Sequence, residues 1–193
     1  MRLTAEDMAD IRRAVDTLRR GGVIVYPTDT VWGIGCDATN SAAVRRVFDI
    51  KRRADSKALI TLVGSVGALE RVVDQVPEVA YDLIDFSEKP LTIIYDSASG
   101  VAPELKAADG TVAVRVTSEV FSQALCRAFG RPLVSTSANI SGQPAARCFA
   151  EISPEILDRA DYVCEYGRDT APGAKPSTIM RLSAGGLFKV IRP

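Results

Sequence analysis

The chain has 193 residues, 47% of them hydrophobic and 25% charged, a composition ordinary for a globular protein with one large core. Lys+Arg and Asp+Glu are equal at 24 each, so the net charge of zero argues against a dedicated nucleic-acid coat and leaves room for a local basic patch in a cleft. Histidine is absent, which removes Ser-His and Cys-His nucleophiles and most zinc sites; chemistry must rest on Lys, Arg, carboxylates, hydroxyls and backbone groups.

Thr4 and Asp7 form a capping box that opens a first helix, in which Met8, Ile11, Val15 and Leu18 recur at helical spacing until Gly21-Gly22. Residues 23–26 read as a strand stopped by Pro27, and a loop follows over 28–40. Ser41 is expected to cap a second helix with Val44, Val47 and Phe48 on one face, running out near Lys51-Arg52-Arg53. A strand over 59–63 precedes helical patterns at 66–74 and 77–86, then strands at 91–95 and 112–116. Ser118 is expected to cap a helix that ends at Gly130. Residues 133–137 are a strand, 154–159 a short helix and 162–166 another strand; 178–182 and 187–191 form a hairpin around a turn at 183–186. No repeat or low-complexity linker appears, so residues 1–193 read as one domain. The fold class is α/β, with an open, twisted, mixed parallel and antiparallel sheet flanked by helices. The polar start lacks an apolar signal core, no apolar run approaches membrane-spanning length, and Cys36, Cys126, Cys148 and Cys164 form no Cys-x-x-Cys pair. A cytoplasmic location with reduced thiols is expected, with no membrane contact.

Five segments could carry chemistry, one of them Lys175-Pro176-Ser177-Thr178 with Arg192, which taken alone reads as surface. Ser135-Thr136-Ser137-Ala138-Asn139 puts small polar groups at a strand's carboxyl end, where α/β sheets place ligands; taken alone it also reads as a turn. Pro27 to Gly33 sets Thr28 and Thr30 around Asp29, with Trp32 either a pocket wall or core. Lys51, Arg52, Arg53 and Lys57 are four cations in seven residues, favourable at a helix C-terminus or, if aimed inward, ligands for a triphosphate. Arg115 interrupts an apolar alternation and shares a strand face with Thr111 and Ala113; it suits a carboxylate or phosphate ligand, or an internal salt bridge to Asp29 or Asp109. No Walker loop or Gly-x-Gly-x-x-Gly fingerprint is present.

In order, Pro27-Thr-Asp-Thr-Val-Trp-Gly-Ile-Gly35, Lys51-x-Arg53, Pro90-Leu-Thr92, Val114-Arg115-Val116, Ser135-Thr-Ser-Ala-Asn-Ile-Ser-Gly142 and Pro176-Ser-Thr-Ile179 resemble the YrdC-like L-threonylcarbamoyladenylate synthase family in its short bacterial form. The resemblance implies an open fold with a large concave cavity. It also implies a reaction: ATP, L-threonine and bicarbonate give threonylcarbamoyl-AMP and pyrophosphate, for N6-threonylcarbamoyladenosine in tRNA. By the family pattern Lys51 and Arg53 are catalytic, and Lys51, Arg53, Lys57, Thr111, Ser137, Asn139 and Arg192 bind ATP. Thr30, Arg115, Ser135 and Ser177 surround L-threonine, and magnesium comes bound to the ATP phosphates. No protein metal site is expected. Handover to tRNA threonylcarbamoyl-transfer proteins and weak tRNA binding follow as implied partners. The chain departs from the family pattern at Ala54, Ala58, Leu62, Ser87-Glu88-Lys89 and Thr117. Two rival readings are a paralogue acting on another amine or carbamoyl substrate, and a tRNA- or double-stranded-RNA-binding module.

Overall fold

The structure is a computed structural model and is described over residues 2–53, 59–170 and 176–193. Its helices are α1 (Ala5–Arg19), α2 (Ser41–Lys51), α3 (Val66–Leu69), α4 (Glu78–Asp85), α5 (Val120–Phe129) and α6 (Pro154–Arg159). The strands are β1 (Ile24–Tyr26), β2 (Gly33–Gly35), β3 (Ile60–Val63), β4 (Leu91–Tyr95), β5 (Val112–Val116), β6 (Leu133–Ser137), β7 (Tyr162–Val163), β8 (Thr178–Leu182) and β9 (Phe188–Arg192). Among the described residues these make one sheet in the order β7-β1-β2-β6-β3-β5-β4-β8-β9. The pairs β1/β7, β3/β5 and β4/β8 are parallel and the other five antiparallel, so the sheet is mixed and open.

Side chains alternate between two apolar layers, as the pleat requires. Val23 and Val25 join the larger cluster with α2, Trp32 and Ile34. Ile24 and Tyr26 point the other way, into a smaller cluster built from α1 and α5 with Leu62, Leu133 and Cys164. Trp32 is therefore core, its ring centroid 5.0 Å from that of Phe149.

The smaller cluster covers only part of its face. Leu133, Leu62, Arg115, Thr92, Ile179 and Arg192 form one cross-strand row. Its first two members lie in that cluster, and the row then runs out to charged and polar groups. The neighbouring row is Ser135, Ile60 and Ala113. An apolar helix layer thus gives way, along one sheet face, to a polar floor.

Local chemistry moved several boundaries. Strand β2 lies inside the stretch expected as loop, held by ladders to both β1 and β6. Asn40, not Ser41, caps α2 by accepting from the amides of Ala42 and Ala43. Glu119, not Ser118, caps α5, its two carboxylate oxygens taking the Phe121 and Ser122 amides. The expected strand over 162–166 stops at Val163 because buried Asp10 takes the amides of Glu165 and Tyr166, each at 2.8 Å. The Thr4–Asp7 capping box is present.

Candidate active site

A cavity of about 330 Å3 opens over the polar floor, within the size range of small-molecule sites. Its lining draws on distant segments: Thr28, Thr30, Val31 and Gly33; Arg53, Leu59 and Ile60; Arg115; Ser135, Thr136 and Ser137; Ala145; Pro176, Ser177 and Ile179; and Arg192. Three guanidinium groups face it, and none of the described lining residues is a carboxylate. Such a lining favours a polyanion or a carboxylate-bearing ligand.

Glycine makes the β1–β2–β6 corner. A Cβ on Gly35 would sit 1.8 Å from the Val134 carbonyl oxygen, and the Tyr26 ring lies against the same glycine. The Tyr26 hydroxyl donates to that carbonyl at 3.1 Å. This close approach brings the loop 28–31 beside Ser135 and Ser137. Within the loop, the Thr28 hydroxyl donates to the Val31 carbonyl at 2.7 Å and lies 3.0 Å from the Thr30 hydroxyl.

At the other wall, the Thr92 and Ser177 hydroxyls are 2.9 Å apart, and Arg192 donates Nε and Nη2 to the Ser177 carbonyl at 3.0 and 2.7 Å. Arg115 is buried and ion-paired, its Nη2 3.2 Å from Asp29 Oδ1, with both side chains less than a tenth exposed. The internal salt bridge weighed from sequence is thus present, and Arg115 still lines the cavity.

Arg53 reaches the cavity because the chain turns sharply after α2. Arg52 has φ 50°, the left-handed region that L side chains disfavour, and it closes the helix where a glycine commonly stands. Burial lowers the Arg53 pKa.

Lys51 goes elsewhere. It is 1% exposed and absent from the described lining, whereas the family pattern places it on ATP. The Nζ donates to the carbonyl oxygens of Ser137 and Asn139, and the Lys51 carbonyl accepts from the Ser141 amide at 2.8 Å. Burial, and secondarily the charge of Arg53, lowers its pKa from 10.5 to about 7.

Two more expected ligands lie off the lining. Thr111 is held in a turn, its hydroxyl donating to Asp109 Oδ1 at 2.7 Å. Asn139 gives its amide protons to the Ile140 and Gln143 carbonyls, while its buried Oδ1 has no partner. Lys57 lies outside the described residues. Thr30, Ser135, Ser137, Arg53, Arg115, Ser177 and Arg192 do converge on one cavity. Thr28, Thr136 and Ile179 join them; the period-2 alternation of β8 could have marked Ile179 as facing the same way as Ser177. Among the described residues no group of three or more His, Cys, Asp or Glu could hold a metal. Among the described residues no helix is long and apolar enough to cross a membrane.

The Sua5–YciO–YrdC family model, described as "Telomere recombination", matches residues 16–193. The threonylcarbamoyl-AMP synthase of Xanthomonas euvesicatoria pv. vesicatoria is 38% identical over 186 residues, covering 95% of this chain and 98% of that protein. The crystal structure of P. abyssi Sua5 with L-threonine superposes with a TM-score of 0.81 at 31% identity over 94% of this chain. This chain spans only 52% of that longer one. E. coli YciO superposes with a TM-score of 0.82 at 27% identity, covering 98% of this chain and 90% of that one.

Proposed function

The chain belongs to the Sua5–YciO–YrdC family, and from that premise we propose that it is an L-threonylcarbamoyladenylate synthase acting in tRNA modification. The observation that carries the reading is the cavity lining, in which the described residues bring three guanidinium groups, a set of hydroxyls and no carboxylate.

The chemistry asks little covalent work of the protein. The threonine amine takes up bicarbonate with loss of water to form a carbamate. A carbamate oxygen attacks the α-phosphorus of ATP, and pyrophosphate leaves. The protein must hold the carbamate in line with the α-phosphorus and neutralise crowded anions. Alignment alone is worth roughly 7–11 kcal/mol in well-oriented reactions. Preorganised cations and hydroxyls stabilise the charge that develops on the departing pyrophosphate.

In this proposal Arg53 and Arg192 face the triphosphate with Ser137. Arg115 takes the threonine carboxylate, and Thr30, Ser135 and Ser177 surround the amino acid. Lys51 contributes by holding the 137–141 segment. With no carboxylate in the described lining, magnesium enters on the ATP phosphates as part of the substrate. We read residues 1–193 as one cytoplasmic domain that hands its labile product to the tRNA-transfer proteins, with at most weak tRNA contact of its own.

The experiment is incubation with ATP, L-threonine and 13C-bicarbonate, followed by mass spectrometry. The reading expects threonylcarbamoyl-AMP carrying one labelled carbon; ATP turnover without that product contradicts it. A paralogue using another amine would show the label only when that amine is supplied.

A further inference from the structure

Asp29 sits between Thr28 and Thr30, which both line the cavity, yet Asp29 itself does not. It borders a separate cavity of about 260 Å3 and forms a buried pair with Arg115, which lines the first. Its Oδ1 has no hydrogen bond beyond the 3.2 Å ionic contact, and Arg115 Nε has no partner. The Thr117 hydroxyl lies 3.4 Å from Asp29 Oδ2 and 2.9 Å from the Ser122 hydroxyl, linking Asp29 to the first turn of α5. The guanidinium is therefore charge-compensated while keeping unspent donors, out of the five it carries.

That combination has a consequence for substrate sorting. A buried guanidinium without a counter-charge is costly and turns to the nearest anion. In a cavity shared with a triphosphate, that anion is phosphate. Asp29 removes the incentive, and it holds Arg115 in the row with Thr92 and Ile179, next to Ser177 across the Thr92 hydroxyl.

We infer that Asp29 is a positioning residue for the amino-acid substrate: it holds Arg115 for the threonine carboxylate and keeps it off the ATP phosphates. This rests on the function proposed above. Asp29→Asn preserves shape and removes the charge. It should raise the KM for L-threonine about tenfold or more, with the KM for ATP unchanged or lower. In a double-mutant cycle, Asp29→Asn should add nothing to the threonine defect of Arg115→Ala. A purely structural role would raise both KM values together and give additive effects, and either result overturns the inference.

Calorimetric titration of L-threonine into each protein separates the two levels. If the wild-type chain binds threonine and Asp29→Asn binds it equally well, the role of Asp29 fails alone. If the wild-type chain does not bind threonine, the functional reading fails and takes this inference with it.

Discussion

The Lys51 Nζ donates to the main-chain oxygen of Asn139 at 2.7 Å, tying the end of α2 to a segment 88 residues away. The Ser141 amide returns a bond to the Lys51 carbonyl. The turn after β6 is thus clamped from both sides by one residue, and Ser137, whose carbonyl accepts from it, lines the cavity. Lys51 acts on the site through the backbone it fixes.

Lys51→Met should destabilise the fold. It leaves the Asn139 carbonyl without its donor, at about 1–3 kcal/mol for a buried group left unpaired, and takes one of two donors from the Ser137 carbonyl, which still accepts from the Asn139 amide at 2.9 Å. Urea unfolding followed by circular dichroism measures this. A variant as stable as the wild type would show that the Asn139 carbonyl finds another donor at no cost.

The pH dependence of that difference has a definite sign. Folding lowers the Lys51 pKa to about 7 from 10.5, so between those values the unfolded chain binds a proton that the folded chain does not. Wild-type stability gains a term that is absent below about pH 7 and complete above 10.5. Lys51→Met lacks this term, so its deficit relative to wild type should widen from pH 6.5 to pH 9.5. A deficit that does not widen over the range would mean the buried amine stays charged when folded.

Arg53→Ala should raise the KM for ATP about tenfold or more, the loss of one charge-assisted phosphate contact. Its side chain is half-buried at the cavity, so the thermal midpoint should move little. Unchanged ATP kinetics in a folded variant would remove Arg53 from the phosphate set.

Gly35→Ala should lower stability by about 3 kcal/mol or more, at or beyond the top of the usual overpacking range, because the obstacle is backbone. The added Cβ would meet the Val134 oxygen at 1.8 Å, and relief requires parting β2 from β6. Equilibrium unfolding reads the loss, and a variant of normal stability would show that this corner can open.

Much of the fold was legible because its strands are apolar runs bounded by Pro or Gly. Residues 91–95 and 112–116 have the expected limits for that reason, and 133–137 does so with only Leu133 and Val134 apolar after Pro132. Strand β2 was hidden, since Gly33-Ile34-Gly35 has little strand propensity and exists by its two ladders. The caps shifted by one residue at Asn40 and Glu119, where adjacent polar residues compete for the same amides.

The site was legible as a set of segments and less so as a set of side chains. Lys51 and Arg53 stand two apart and share one motif, yet the left-handed Arg52 between them sends one under the 137–141 turn and the other to the cavity. Spacing carries no signal of that backbone sign. Thr111 shares a strand face with Arg115, but the Asx turn at Asp109 claims its hydroxyl. Arg115 showed most plainly, as a charge in an apolar strand that had to be paired or liganded.

The most direct test of the central claim is pyrophosphate release from ATP with bicarbonate, measured with and without L-threonine. The account predicts release that depends on threonine and that Arg115→Ala suppresses at limiting threonine. Release that is indifferent to threonine, or absent although ATP and threonine both bind, would contradict it.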